Sequence, residues 1–95
     1  MDIISFYLQK LLKAKVVMGI RNNYGLFIAI PNMFIDNCGN LFYLDNKKRR
    51  TKVSSLILSI HGFTNNWFES LYFIDKNTNI ISFKNYMENE NKNKK

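Results

Sequence analysis

Asp36-Asn37-Cys38-Gly39-Asn40-Leu41-Phe42-Tyr43-Leu44 is the stretch on which the fold turns. An aspartate, three variable residues and an asparagine break the chain, and an apolar run follows. Asp and Asn side chains bond to nearby backbone and tolerate left-handed geometry. Residues 36–40 therefore read as a turn, and Leu41–Asp45 as a returning strand. About twenty residues on, Leu58-Ser59-Ile60-His61-Gly62 again ends an apolar run in a polar, glycine-containing break. Both breaks lie between segments that read as strands. Together they would place an amide, a ring and bare glycine backbone around one unpaired base.

Upstream, Ile4, Tyr7, Leu8, Leu11 and Leu12 recur at helical spacing and predict a short amphipathic helix over 3–13, with Asp2 as N-cap. Lys15–Arg21 reads as a strand, Asn22-Asn23-Tyr24-Gly25 as a turn, and Leu26–Ile30 as a second strand. Pro31 marks an edge or a bend, past which Met33–Asp36 continues that strand. Downstream, Asn46–Lys52 carries five positive charges in seven residues and reads as an exposed hairpin tip. Val53–Ile60 then reads as a fourth strand and Trp67-Phe68 as the opening of a fifth. Leu71–Ile74 and Ile80–Phe83 suggest a further hairpin around Asp75–Asn79. No internal repeat is read. The expectation is a mainly β fold: an N-terminal helix plus a five-stranded, strongly bent antiparallel sheet forming a small barrel. The domain would span 1–83, and 84–95 would be a lysine-rich, disordered tail.

Ninety-five residues, 46% of them hydrophobic, suffice for one domain with a modest core. Fourteen Lys and Arg against seven Asp and Glu leave a net charge of +7, which points to a polyanionic partner or, more plainly, to solubility. With one cysteine, Cys38, and one histidine, His61, no internal disulfide and no Cys/His zinc site is expected. The N-terminus lacks the pattern of a secretory signal, and no apolar run nears the roughly 20 residues that span a bilayer. No Ser/His/Asp set, carboxylate pair or phosphate-cradling glycine loop is present, so neither catalysis nor a cofactor is expected.

The order and spacing of these segments resembles the Sm and Sm-like RNA-binding family. Its first motif sets an aspartate and an asparagine around three residues before the third strand, here Asp36-Asn37-Cys38-Gly39-Asn40. Its second is Ile-Arg-Gly between apolar strands, here Leu58-Ser59-Ile60-His61-Gly62-Phe63-Thr64-Asn65-Asn66-Trp67-Phe68, with His61 in place of the arginine. The N-terminal helix and Lys15–Asn22 look most like the D-type spliceosomal members, and the match covers roughly residues 1–72.

The resemblance implies a subunit of a seven-membered hetero-ring of Sm or Sm-like proteins, bound to uridine-rich small nuclear RNA. It would act in pre-mRNA splicing in the nucleus, with possible cytoplasmic assembly. No membrane or small-molecule substrate is implied. Asp36, Cys38, Asn40, His61 and Gly62 would form the uridine pocket. Asn40 would read the base edge, Cys38 and His61 would cover its faces, and Gly62 would let the backbone approach. Lys47, Lys48, Arg49, Arg50 and the C-terminal lysines would meet phosphates. Each motif has a plainer reading, as a hairpin turn, a capping histidine and a solvated loop. The competing expectation is a basic structural subunit of another large assembly, ribosomal, organellar or viral, with no uridine pocket.

Overall fold

The computed structural model describes residues 2–62 and 66–92. Phe63-Thr64-Asn65 of the second motif, and Lys94 and Lys95 of the tail, lie outside the described residues. The chain opens with helix α1 (Ile3–Lys13), as its spacing predicts. Asp2 caps it: Oδ1 accepts the Ser5 backbone N–H at 2.7 Å. Tyr7, Leu8 and Leu11 form its buried stripe.

Among the described residues seven strands follow, in two separate antiparallel sheets. β1 (Val17–Arg21), β2 (Phe27–Ala29), β6 (Leu71–Ile74) and β7 (Ile80–Ser82) form one, in the order β2-β1-β6-β7. β3 (Met33–Ile35), β4 (Leu41–Leu44) and β5 (Arg50–Lys52) form the other, in that order. The helix and the antiparallel strands are as expected, but the single bent sheet is not, and among the described residues the strands close no barrel. The domain is α/β. The break falls at Pro31-Asn32. Pro31 cannot donate to a ladder, and Asn32 adopts a left-handed φ of 57°. The chain therefore leaves the first sheet after β2 and starts the second with β3, where a continuous strand was expected.

Residues 53–60 require a larger correction: they are not a strand but most of helix α2 (Val53–His61). Val53, Leu56, Ile57 and Ile60 stand at i, i+3, i+4 and i+7, a helical stripe. Val53 and Ile57 are fully buried, and Leu56 and Ile60 pack against the core. Burying each such side chain stabilises the helix by about 1.5–3 kcal/mol. Trp67-Phe68 opens a single 3-10 turn (Trp67–Ser70), not a strand. The segment expected to be disordered is also helical as far as Lys92: α3 (Phe83–Lys92) buries Phe83 and sets Tyr86 edge-on to Tyr7 and Phe73, at ring distances of 5.8 and 5.3 Å. Ion pairs Lys84–Glu69 (2.8 Å) and Lys10–Glu90 (3.4 Å) tie α3 to the 3-10 turn and to α1.

The elements reveal an internal repeat, also unanticipated. Leu41-Phe42-Tyr43-Leu44-Asp45 and Leu71-Tyr72-Phe73-Ile74-Asp75 lie thirty positions apart. Each opens a hairpin that runs directly into a helix. The registers agree residue for residue: Phe42 pairs with Lys52 as Tyr72 pairs with Ser82, and Leu44 with Arg50 as Ile74 with Ile80. Leu41 and Leu71 are both buried, as are Val53 and Phe83 at the helix starts. Each hairpin adds a preceding strand on its outer side, β3 for the first and β1 for the second. The core lies between the helices and the inner faces of both sheets.

Candidate nucleic-acid interface

Among the described residues three turns are built alike around an aspartate, and a fourth around an asparagine. Asp36 Oδ1 accepts the N–H groups of Cys38 (3.0 Å) and Asn40 (2.8 Å). Asp45 Oδ1 does the same for Lys47 and Arg49, Asp75 Oδ1 for Asn77 and Asn79, and Asn22 Oδ1 for Tyr24 and Leu26. In each, the fourth residue takes a left-handed φ: Gly25, Gly39, Lys48 and Thr78. Asp36 thus locks its loop in the manner the sequence suggests, but the device is the hairpin closure this fold uses throughout.

These bonds hold the carboxylates of Asp36 and Asp45 below the usual aspartate range. The backbone N–H of Asn40 is the main cause for Asp36, and that of Arg49 for Asp45. A depressed folded-state value adds stability above the ordinary value near 3.8, and that stability is lost as pH falls through the folded-state value. The melting temperature is therefore expected to fall as pH drops below about 4. Asn22 shows that an amide closes the same turn, so Asp36→Asn and Asp45→Asn should fold and give a flatter acid limb. An unchanged limb in thermal melts from pH 7 to pH 2 would refute this.

The residues expected to form one pocket are placed at two locations. Asp36, Cys38 and Asn40 share the β3–β4 turn, with Cys38 exposed at its tip. Asn40 lines a small recess with Lys52, Ser54 and Trp67, at the start of α2. His61 and Gly62 end that helix. His61 Nε2 lies 2.9 Å from the Arg21 carbonyl, which can only accept, so Nε2 carries the proton and donates. Gly62, at a φ of 89°, is the left-handed cap, and its N–H donates to Leu58 O at 2.8 Å. Asn40 and His61 are thus separated by the helix length, about 12 Å at 1.5 Å per residue. The signal for this was Gly62 itself, a helix stop after a 3.6-period stripe.

The basic run is divided. Lys47 and Lys48 stand exposed at the β4–β5 tip. Arg49 Nε pairs with Asp45 at 2.9 Å. Arg50 turns onto the sheet, its guanidinium 4.3 Å from the Phe42 ring centre, 5.6 Å from that of Phe34, and 3.9 Å from the Asp36 carboxylate. Phe34 and Phe42 are cross-strand partners, stacked at 5.6 Å with planes 17° apart. Strand alternation puts Phe34, Phe42, Leu44, Arg50 and Lys52 on one face, and none of these apolar residues packs against the core, unlike Met33, Ile35 and Tyr43 on the other. This outer face was missed in the sequence reading, although Phe42 and Leu44 alternate with the core residues Leu41 and Tyr43. A smaller counterpart lies on the other sheet, where the Arg21 guanidinium sits 5.0 Å from the Tyr72 ring centre.

Among the described residues no three His, Cys, Asp or Glu side chains gather to hold a metal ion, and no helix is long and apolar enough to cross a membrane. Compared with family models, with curated proteins and with solved structures, the chain matches none.

Proposed function

We propose that this chain is a non-enzymatic binding module for single-stranded nucleic acid, RNA foremost, which lies across the outer face of the β3-β4-β5 sheet. The observation that carries this reading is the Phe34–Phe42 stack with Arg50 laid over it, held outside the core. Flat rings and a guanidinium on a sheet offer stacking surfaces to unpaired bases, which a duplex keeps hidden in its stack. Lys47, Lys48 and Lys52 border that face and suit the phosphate backbone. The RNA expected from the sequence is thus retained, on a different surface. The Sm-type ring is less favoured, because its pocket needs Asn40 and His61 on one rim and the length of α2 lies between them. The reading sits closer to the competing expectation, a basic subunit that holds RNA without a uridine pocket.

Fluorescence anisotropy with a labelled oligouridine and a duplex of equal length tests it. Tighter binding of the single strand is expected, weakening with salt. Three or four phosphate contacts would give a log–log slope of about −2 to −3. No binding, or equal binding of the duplex, would reject the proposal.

A further inference from the structure

The fourteen residues Asn22–Ile35 hold no charged side chain, in a chain where charged residues are 22%. They include β2, an edge of the four-stranded sheet. Two of the other edges are guarded: β5 carries Arg50 and Lys52, and β3 is packed by α1. β7 (Ile80–Ser82) is as short and uncharged as β2, but it runs directly into α3, where Lys84 follows. Charge, cover and shortness are what keep natural edges from pairing. β2 lacks the first two. Its surroundings are also apolar and exposed: Tyr24 is 89% exposed, Leu26 63% and Ile28 40%.

The hydrogen-bond pattern fixes which of its backbone groups point outward. Asn22 N–H donates to Leu26 O, and Ile30 N–H to Met18 O, both at 2.9 Å. By alternation Leu26, Ile28 and Ile30 face β1, while the N–H and C=O groups of Phe27 and Ala29 face away. This short edge is self-complementary. With a twofold axis at Ile28, Phe27 meets Ala29 of a second copy, and Ala29 meets its Phe27. Both are hydrogen-bonded pairs, giving four N–H···O bonds. The two Ile28 side chains lie side by side at the axis, and Leu26 faces Ile30 of the other copy. Two chains of net charge +7 repel, and along this edge they bring no like charges together.

We propose that the chain forms a symmetric dimer through antiparallel pairing of β2 with β2 of a second copy, joining two four-stranded sheets into one of eight. The occupant is a second copy because the register satisfies every outward group with the same segment, and a C2 interface requires that identity. The proposal is independent of the nucleic-acid reading, because β2 belongs to the other sheet.

Light scattering coupled to gel filtration should give twice the monomer mass for the full chain. Ala29→Pro removes only an outward N–H and suits an edge strand, and Ile28→Lys sets two ammonium groups together at the axis. Each should yield a monomer with an unchanged circular dichroism spectrum. Disulfide trapping reads the register directly, in a Cys38→Ser background because Cys38 is exposed. Ile28→Cys should crosslink to itself on oxidation, since non-hydrogen-bonded partners stand about 4.5 Å apart at Cα, within disulfide reach. Leu26→Cys should not, being roughly four residues, about 13 Å, from its own copy. A monomeric wild type overturns the proposal, as does a dimer that survives both Ala29→Pro and Ile28→Lys. If either variant fails to fold, failure of Ile28→Cys to crosslink overturns it alone.

Discussion

Gly19→Ala is expected to destabilise the domain more than any other single methyl addition described here. A Cβ at position 19 would stand 2.8 Å from the Ile28 carbonyl carbon and 2.9 Å from Ala29 Cα, and closer still to the Ile28 oxygen. These are backbone atoms of the neighbouring strand, and no rotamer change moves them aside. The hairpin must open, and β1 is the central strand that also pairs with β6. Overpacking of this kind costs about 3 kcal/mol or more. A domain of this size holds roughly 5–15 kcal/mol in total, and a loss of 3 lowers its melting temperature by roughly 12–24 °C. Gly25→Ala is the control. Its site is open, with a φ of 79°, so only the conformational penalty of about 1 kcal/mol applies. Urea or thermal melts compare the two. Equal losses at both positions would show that β2 can yield, and the argument from its backbone would fail.

The second large effect is on binding. Phe42→Ala removes the ring at the centre of the outer face, beneath Arg50 and beside Phe34. If a base stacks there, affinity for the single-stranded oligonucleotide should drop roughly 5- to 150-fold, matching about 1–3 kcal/mol per stacked base. Arg50→Ala should also weaken binding. Because Arg50 touches Phe42, the double variant should lose less than the product of the single losses. Neither side chain packs into the core, so both variants should keep the wild-type melting temperature within a few degrees. Lys47→Ala should weaken binding less and reduce the salt slope by about 0.7. If Phe42→Ala binds within twofold of wild type, the aromatic face is not the binding surface.

Local chemistry made much of the fold legible. The α1 stripe and its Asp2 cap, the turn at Asn22–Gly25, the strand after Asn40 and the hairpin around Asp75–Asn79 all follow from spacing and turn residues. Val53–Ile60 reads as a strand because its β-branched residues Val53, Ile57 and Ile60 favour one locally, whereas its stripe at 53, 56, 57 and 60 favours a helix. Tertiary burial of Val53 and Ile57 decides between them. α3 was hidden for the opposite reason. Lysine, asparagine and glutamate dominate it, and only Phe83, Tyr86 and Met87 reach the core. The two-sheet split follows from the left-handed Asn32, which no period reveals. At the site, Asp36 and the basic run were legible as residues. That Arg50 folds back over Phe42, whereas Arg49 pairs with Asp45, follows from strand register, which single-chain patterning does not fix.

The two repeats differ in how the chain encloses them, and this sets an order of assembly. The first, β3-β4-β5-α2, is contiguous, so every pairing in it closes a short loop and needs no residue beyond 61. The second takes its outer strand from before the first: β1 pairs Gly19 with Tyr72, more than fifty residues away. Long closures carry the greater entropic cost and come late. On the ribosome, the β1–β2 hairpin therefore waits with an open flank until β6 emerges, while the completed first repeat stands beside it. The nesting makes the small sheet the early folding unit, and the four-stranded sheet the step that commits the whole domain.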